Sequence, residues 1–86
     1  MRQPIAEPAE VVARFGCTGN VEPLRFTWRG VHHQVIEIGR SWREGGASPT
    51  IHVLVRDAGG NRFELRFEPA VPRWTVQPLD PETRLA

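Results

Sequence analysis

Three histidines, one cysteine and eleven arginines with three tryptophans are the residues of this 86-residue chain whose types could do chemistry. His32 and His33 suggest a metal first. Neighbours on an extended strand point to opposite faces, so the two could share an ion only across a bulge or turn. His52 could join one of them across a sheet, and Glu37 could add an oxygen. Two histidines and a carboxylate make a recognised facial ligand set. The spacing here matches no metal motif, and the pattern is read as structural or surface histidines rather than a metal site. Cys17 lies between turn residues, Gly16 and Thr18-Gly19. A nucleophilic thiol needs a neighbouring base to ionise near neutral pH, and no Cys-His spacing supplies one. Gly16–Asn20 and Ala58–Asn61 are Gly-rich but lack the lysine and the strand-loop-helix setting of a phosphate loop. Glu64 and Glu68 share one face of a strand with a separation of ~13 Å at ~3.3 Å per residue, too wide for an acid/base pair. No catalytic residue, metal ligand or cofactor is assigned.

The remaining group is Arg with Trp. Arg25, Arg29, Arg40, Arg43 and Arg73 fall near Trp28, Trp42 and Trp74 in sequence. Such sets form protein-binding hot spots. They also stack nucleobases and hold phosphates. Trp42, Arg43, Arg29, Arg40, Arg73 and Trp74 are therefore the candidate binding residues. Every basic side chain is Arg, which favours planar, bidentate contacts over point charges, although a GC-rich genome produces the same bias. A net charge of +1 is too small for a strongly nucleic-acid-binding domain. A protein partner is expected, with weak nucleic-acid binding as the alternative and a histidine-based metal or enzymatic role third.

Positioning these residues requires strands. Glu10–Phe15 alternates Val11, Ala13 and Phe15 with polar neighbours. Leu24, Phe26 and Trp28 alternate with Arg25, Thr27 and Arg29, the period of a half-buried strand. Arg29-Gly30 punctuates a hairpin, and Val31–Gly39 returns. Its apolar parity switches between Val35 and Ile36, which implies a bulge, since one extra residue exchanges the faces. Arg40–Pro49 reads as a loop, with Trp42 either folded back as a plug or offered to a partner. Ile51, Val53 and Val55 alternate cleanly. Asp57–Asn61 is a hairpin turn rich in residues that accept positive φ. Phe63, Leu65 and Phe67 follow, then Trp74 and Val76. Eight Gly and eight Pro leave no room for a long helix.

The expected fold is all-β: a small antiparallel meander of five to six strands curled into an SH3-like barrel. Its core draws on Phe26, Trp28, Val35, Ile51, Val53, Val55, Phe63, Leu65, Phe67, Trp74 and Val76. Residues 1–9 are expected as a flexible arm, 10–79 as one domain and 80–86 as a frayed tail. One cysteine excludes an internal disulfide. The opening residues do not resemble a signal or targeting peptide, and no apolar run approaches the ~20 residues of a membrane helix. A cytoplasmic, membrane-free protein is expected.

The stretch Pro23–Glu44 resembles an uncharacterised family of small bacterial domains. The pattern is Phe-x-Trp-Arg-Gly, an aromatic-Val step, a second Trp with Arg, and a closing Phe-x-Leu and Trp. Phe26, Trp28, Arg29, Gly30, Val35, Trp42, Arg43, Phe63, Leu65 and Trp74 match it in order over residues 22–79. His33 stands where the family tends to place Tyr, so no role of a tyrosine hydroxyl carries over. Some members are associated with proteins resembling Y-family DNA polymerases, which implies an accessory role in DNA damage tolerance. The resemblance assigns no catalytic residue.

Overall fold

The computed structural model describes residues 6–79. Seven strands follow one another: β1 Glu7–Pro8, β2 Glu10–Phe15, β3 Val21–Trp28, β4 Val31–Glu44, β5 Thr50–Asp57, β6 Arg62–Glu68 and β7 Arg73–Pro78. All pairings are antiparallel, in the spatial order β1-β7-β6-β5-β4-β3-β2. From β2 to β7 this is a meander. β1 and β2 are separated only by Ala9, yet β1 pairs with β7 and β2 with β3. The Ala9 N–H donates to the Trp74 carbonyl at 3.2 Å. The chain thus bridges the two ends of the sheet and curls it into a half-barrel.

The all-β meander matches the sequence expectation, and the described residues contain no helix. Seven strands replace the five to six expected. The addition is β1, within the expected arm; two residues, one of them proline, show no alternation to read. Residues 1–5 of that arm and the tail 80–86 lie outside the described residues.

Bulges set which side chains face inward. On β3, Val12 is opposite Arg25 and Ala13 opposite Pro23, so Leu24 is the extra residue. Pro23 is consequently buried while Leu24 is 40% exposed, although Leu24 shares sequence parity with Phe26. On β4, Val35 pairs with Asp57 and Glu37 with Arg56, leaving Ile36 as the bulge that the parity switch implied. A second irregularity lies between Ile38 and Ser41, where Gly39 and Arg40 oppose the Leu54 position. Pairing then resumes to Glu44. Arg40–Glu44, expected in a loop, therefore continues β4, and Trp42 is a strand residue opposite His52.

The β3–β4 hairpin turns at Arg29 and Gly30, with φ of 54° and 76°. Positive φ at both central residues is the turn whose twist matches that of the flanking strands. The inner face buries Phe26, Val53, Val55, Phe63, Leu65 and Val76, with Val11, Trp28, Val35, Ile51 and Trp74 packed around them. Phe67 is half-buried at one mouth, touching Trp74 and Phe15.

Candidate functional site

On β5 the inward residues are Ile51, Val53, Val55 and Asp57, so His52 lies on the outer face. It is nevertheless only 8% exposed. The cross-strand register explains this. Trp42 on β4 stands directly opposite and lies flat on the imidazole, with centroids 4.9 Å apart and planes 3° from parallel. The Arg40 guanidinium sits 5.3 Å from the Trp42 ring centroid, extending the stack to three layers. Cation, indole and imidazole attract through the ring quadrupole and dispersion.

Carboxylates flank the histidine at both ring nitrogens, Glu64 as a hydrogen-bond partner and Glu44 as an ion-pair neighbour. Nδ1 is 2.6 Å from Glu64 Oε2 and Nε2 is 3.0 Å from Glu44 Oε1. Glu64 also accepts from Arg66 Nε at 2.8 Å, and Arg66 Nη2 donates to Gln77 Oε1 at 2.6 Å. Burial pushes the Glu64 carboxyl upward, but the hydrogen bonds from Arg66 and His52 outweigh it and hold the group below its ordinary range. A shallow cavity of about 380 Å³ opens beside this network, between Glu44, Thr50, His52, Arg66, Glu68 and Thr75. The result is an ordered face with one half-buried indole, a stacked cation above it and acids at its margin.

The six sequence candidates do not converge. Arg40 and Trp42 come together as described. Arg43 lies in the same strand but points to the inner side, where Nη2 donates to the Gly19 carbonyl at 2.9 Å and ties the β2–β3 hairpin to β4. Arg29 donates from Nε and Nη2 to the two oxygens of Glu7, at 2.9 and 2.6 Å. Arg73 donates from Nε and Nη2 to Glu68 Oε1, at 3.0 and 2.8 Å. Trp74 is half-buried on the inner face against Phe67, with ring centroids 5.0 Å apart.

The Phe-x-Trp-Arg-Gly segment has a complete role in building the fold. Phe26 is core. Trp28 packs edge-on against Phe63 and donates Nε1 to Glu7 Oε1 at 2.9 Å. Arg29 takes the left-handed turn position, lies 4.7 Å over the Trp28 ring and closes on Glu7; Gly30 completes the turn. Hydrogen bonds from Arg29, then from Trp28, hold the Glu7 carboxyl below its ordinary range. Glu7 thereby anchors β1, a role with no pattern in the sequence beyond a lone acid between prolines.

His33 is a half-buried imidazole that stands apart from His52. Nδ1 is 2.8 Å from Asp57 Oδ2. Burial acts to raise the Asp57 carboxyl, but His33, Asn61 and the Gly59 amide together lower it. The ring stacks on Phe26 at 4.7 Å and abuts Phe63 and Trp28. Its Nε2 is buried without a hydrogen-bond partner among the described residues. An Asp-His pair is two parts of a catalytic triad, but this one offers its reactive nitrogen to aromatic carbon. His32 is exposed and bonds Thr27 Oγ1 at 2.8 Å. Among the described residues no three His, Cys, Asp or Glu side chains are placed to hold a metal ion. Cys17 is exposed in the β2–β3 turn.

Comparison with protein-family models, with curated proteins and with solved structures gives no match to this chain. Among the described residues no helix is long and apolar enough to cross a membrane.

Proposed function

We propose that the domain is a non-catalytic, protein-binding module on an SH3-like barrel, acting in the cytoplasm. Its partner docks on the outer face of β4–β7, over Arg40, Trp42 and the His52 network. The observation that carries this reading is the Arg40–Trp42–His52 stack: a Trp held flat and rigid on a strand, half-open to solvent, with Arg above it. Trp and Arg supply large contact area, and pre-ordering them lowers the entropy lost on binding.

The charge pattern favours protein over nucleic acid. Five arginines are neutralised within the domain: Arg14 by Glu22, Arg29 by Glu7, Arg56 by Glu37, Arg66 by Glu64 and Arg73 by Glu68. Acids interspersed at this density repel phosphates, whereas they suit a polar interface rim. The resemblance of Phe26–Gly30 to domains associated with Y-family polymerase-like proteins makes such a protein the first partner to test.

Site-specific photocrosslinking tests the face. A crosslinker replacing Thr75, at the margin of this face, should give discrete protein adducts in native lysate, and one replacing Thr18 on the β2–β3 turn should not. Equal labelling from both regions, or adducts to nucleic acid alone, would refute it.

A further inference from the structure

β2 is the last strand of the sheet order, and among the described residues its ladder partner is β3 alone. Among the same residues no strand pairs with its second edge beyond Ala9. The direction of the backbone groups follows from two hydrogen bonds. The Gly16 N–H donates to Asn20, toward β3, and the Ala9 N–H donates to Trp74, away from β3. Successive residues alternate in the direction of these groups. Glu10, Val12 and Arg14 therefore spend theirs on β3, while Val11, Ala13 and Phe15 present N–H and C=O to the open edge. No proline or lysine blunts Glu10–Phe15. Val12 is 45% and Phe15 55% exposed. Such an edge is a template for another strand.

The order of its side chains says which strand. Glu10, Val12 and Arg14 share the outer face, with opposite charges flanking the valine symmetrically. An antiparallel copy must pair residues of like backbone direction, which leaves self-pairing registers centred on Val11, Val12, Ala13 or Arg14. Centred on Val11, Glu10 meets Val12; centred on Ala13, Arg14 meets Val12; centred on Arg14, that arginine meets its own copy, like charge on like. Only the register centred on Val12 sets Glu10 opposite Arg14, and the two-fold axis makes that pair twice. In the same register Val11 and Ala13 exchange edge hydrogen bonds, and the two Val12 side chains meet at the close, non-hydrogen-bonded position.

We propose that this chain forms a two-fold dimer by antiparallel pairing of β2 with β2 of a second copy, centred on Val12. The contact is isologous and consumes the free edge of both copies, so it closes at two subunits. Arg14 already bonds Glu22 through Nε at 2.8 Å, and its 69% exposed side chain leaves a further donor for Glu10 of the second copy. This edge is separate from the Trp42 face, so dimerisation and partner binding fail independently.

Sedimentation equilibrium of the full chain tests the proposal, with circular dichroism confirming that each variant is folded. The wild type should show a monomer–dimer equilibrium. Glu10→Arg and Arg14→Glu should each weaken it about tenfold, because each sets like charges opposite one another at two symmetric positions. Mixing the two variants should restore a heterodimer, since every cross-pair is again opposite in sign. Ala13→Pro removes an N–H that faces only the open edge, and should abolish the dimer. A wild type that is monomeric at every concentration, or a dimer unmoved by all three substitutions, would overturn it. So would single variants that weaken association yet fail to recombine.

Discussion

Replacing Asp57 should damage this domain more than replacing any other charged residue. The residue is 4% exposed and its carboxylate serves four donors: His33 Nδ1 at 2.8 Å, Gly59 N at 3.0 Å, Asn61 N at 2.9 Å and, at the longest distance, Asn61 Nδ2 at 3.5 Å. Hydrogen bonds to a charged acceptor contribute about 1.5–3 kcal/mol each, and their losses overlap at a shared group. Asp57→Ala also leaves both nitrogens of His33 unbonded within the Phe26, Phe63 and Trp28 rings. A total near 4 kcal/mol follows, comparable with the whole stability of about 3–5 kcal/mol for a domain this small. Asp57→Asn should cost less, about 2 kcal/mol. Its oxygen still serves the two backbone amides, but its NH₂ then confronts the His33 N–H. Relief requires moving the ring proton to Nε2, the nitrogen with no partner among the described residues. Urea denaturation followed by tryptophan fluorescence gives both costs, and nitrogen NMR of His33 reads the tautomer. A loss below about 1 kcal/mol for Asp57→Ala, or Asn more harmful than Ala, would refute this assignment.

Acid should destabilise the fold through the same carboxylate. The carboxyls of Asp57 and Glu64 lie below their ordinary values in the folded state, so their stabilisation is complete above the unfolded range near 4 and is lost as pH falls through the folded values. Denaturation midpoints measured downward from pH 6 should fall, and Asp57→Asn should flatten the fall. Gly30→Ala should cost about 1–2 kcal/mol in thermal unfolding, because φ of 76° is a left-handed conformation. Trp28→Ala should cost about 3 kcal/mol and Leu24→Ala less than about 1 kcal/mol, a contrast that checks the β3 bulge. Trp42→Ala should leave the fold intact at a cost of about 1–2 kcal/mol, since it removes a stack and half-buried area rather than a core side chain.

Strand identity was legible wherever two-residue alternation survived. Ile51–Val55 and Phe63–Phe67 read directly, and the Val35–Ile36 parity switch marks the bulge at Ile36. Irregularities of the backbone hid the rest. Leu24 has the parity of Phe26, and only the register shift at Ala13 shows that Pro23 takes the buried place. Gly39-Arg40 reads as the end of a strand, yet a second irregularity there carries β4 onward and sets Trp42 on His52. The candidate face was therefore half visible: Trp42 and Arg40 stood out by type, while His52, Glu44 and Glu64 depend on a cross-strand register that no local pattern encodes. Arg29, Arg43 and Arg73 stood out for the same reason as Arg40, and their partners, Glu7, the Gly19 carbonyl and Glu68, are tertiary facts. Asp57 reads as a turn residue, and nothing in Asp57–Asn61 encodes its burial, which depends on His33 across the sheet.

Affinity capture from native lysate with the tagged full chain, run with and without nuclease and against Trp42→Ala and Arg40→Ala, tests the binding-module reading most directly. A specific protein that survives nuclease and is lost with either substitution, while both variants remain folded, is the predicted result. Capture that is unchanged by both substitutions, or that vanishes on nuclease treatment, would contradict it.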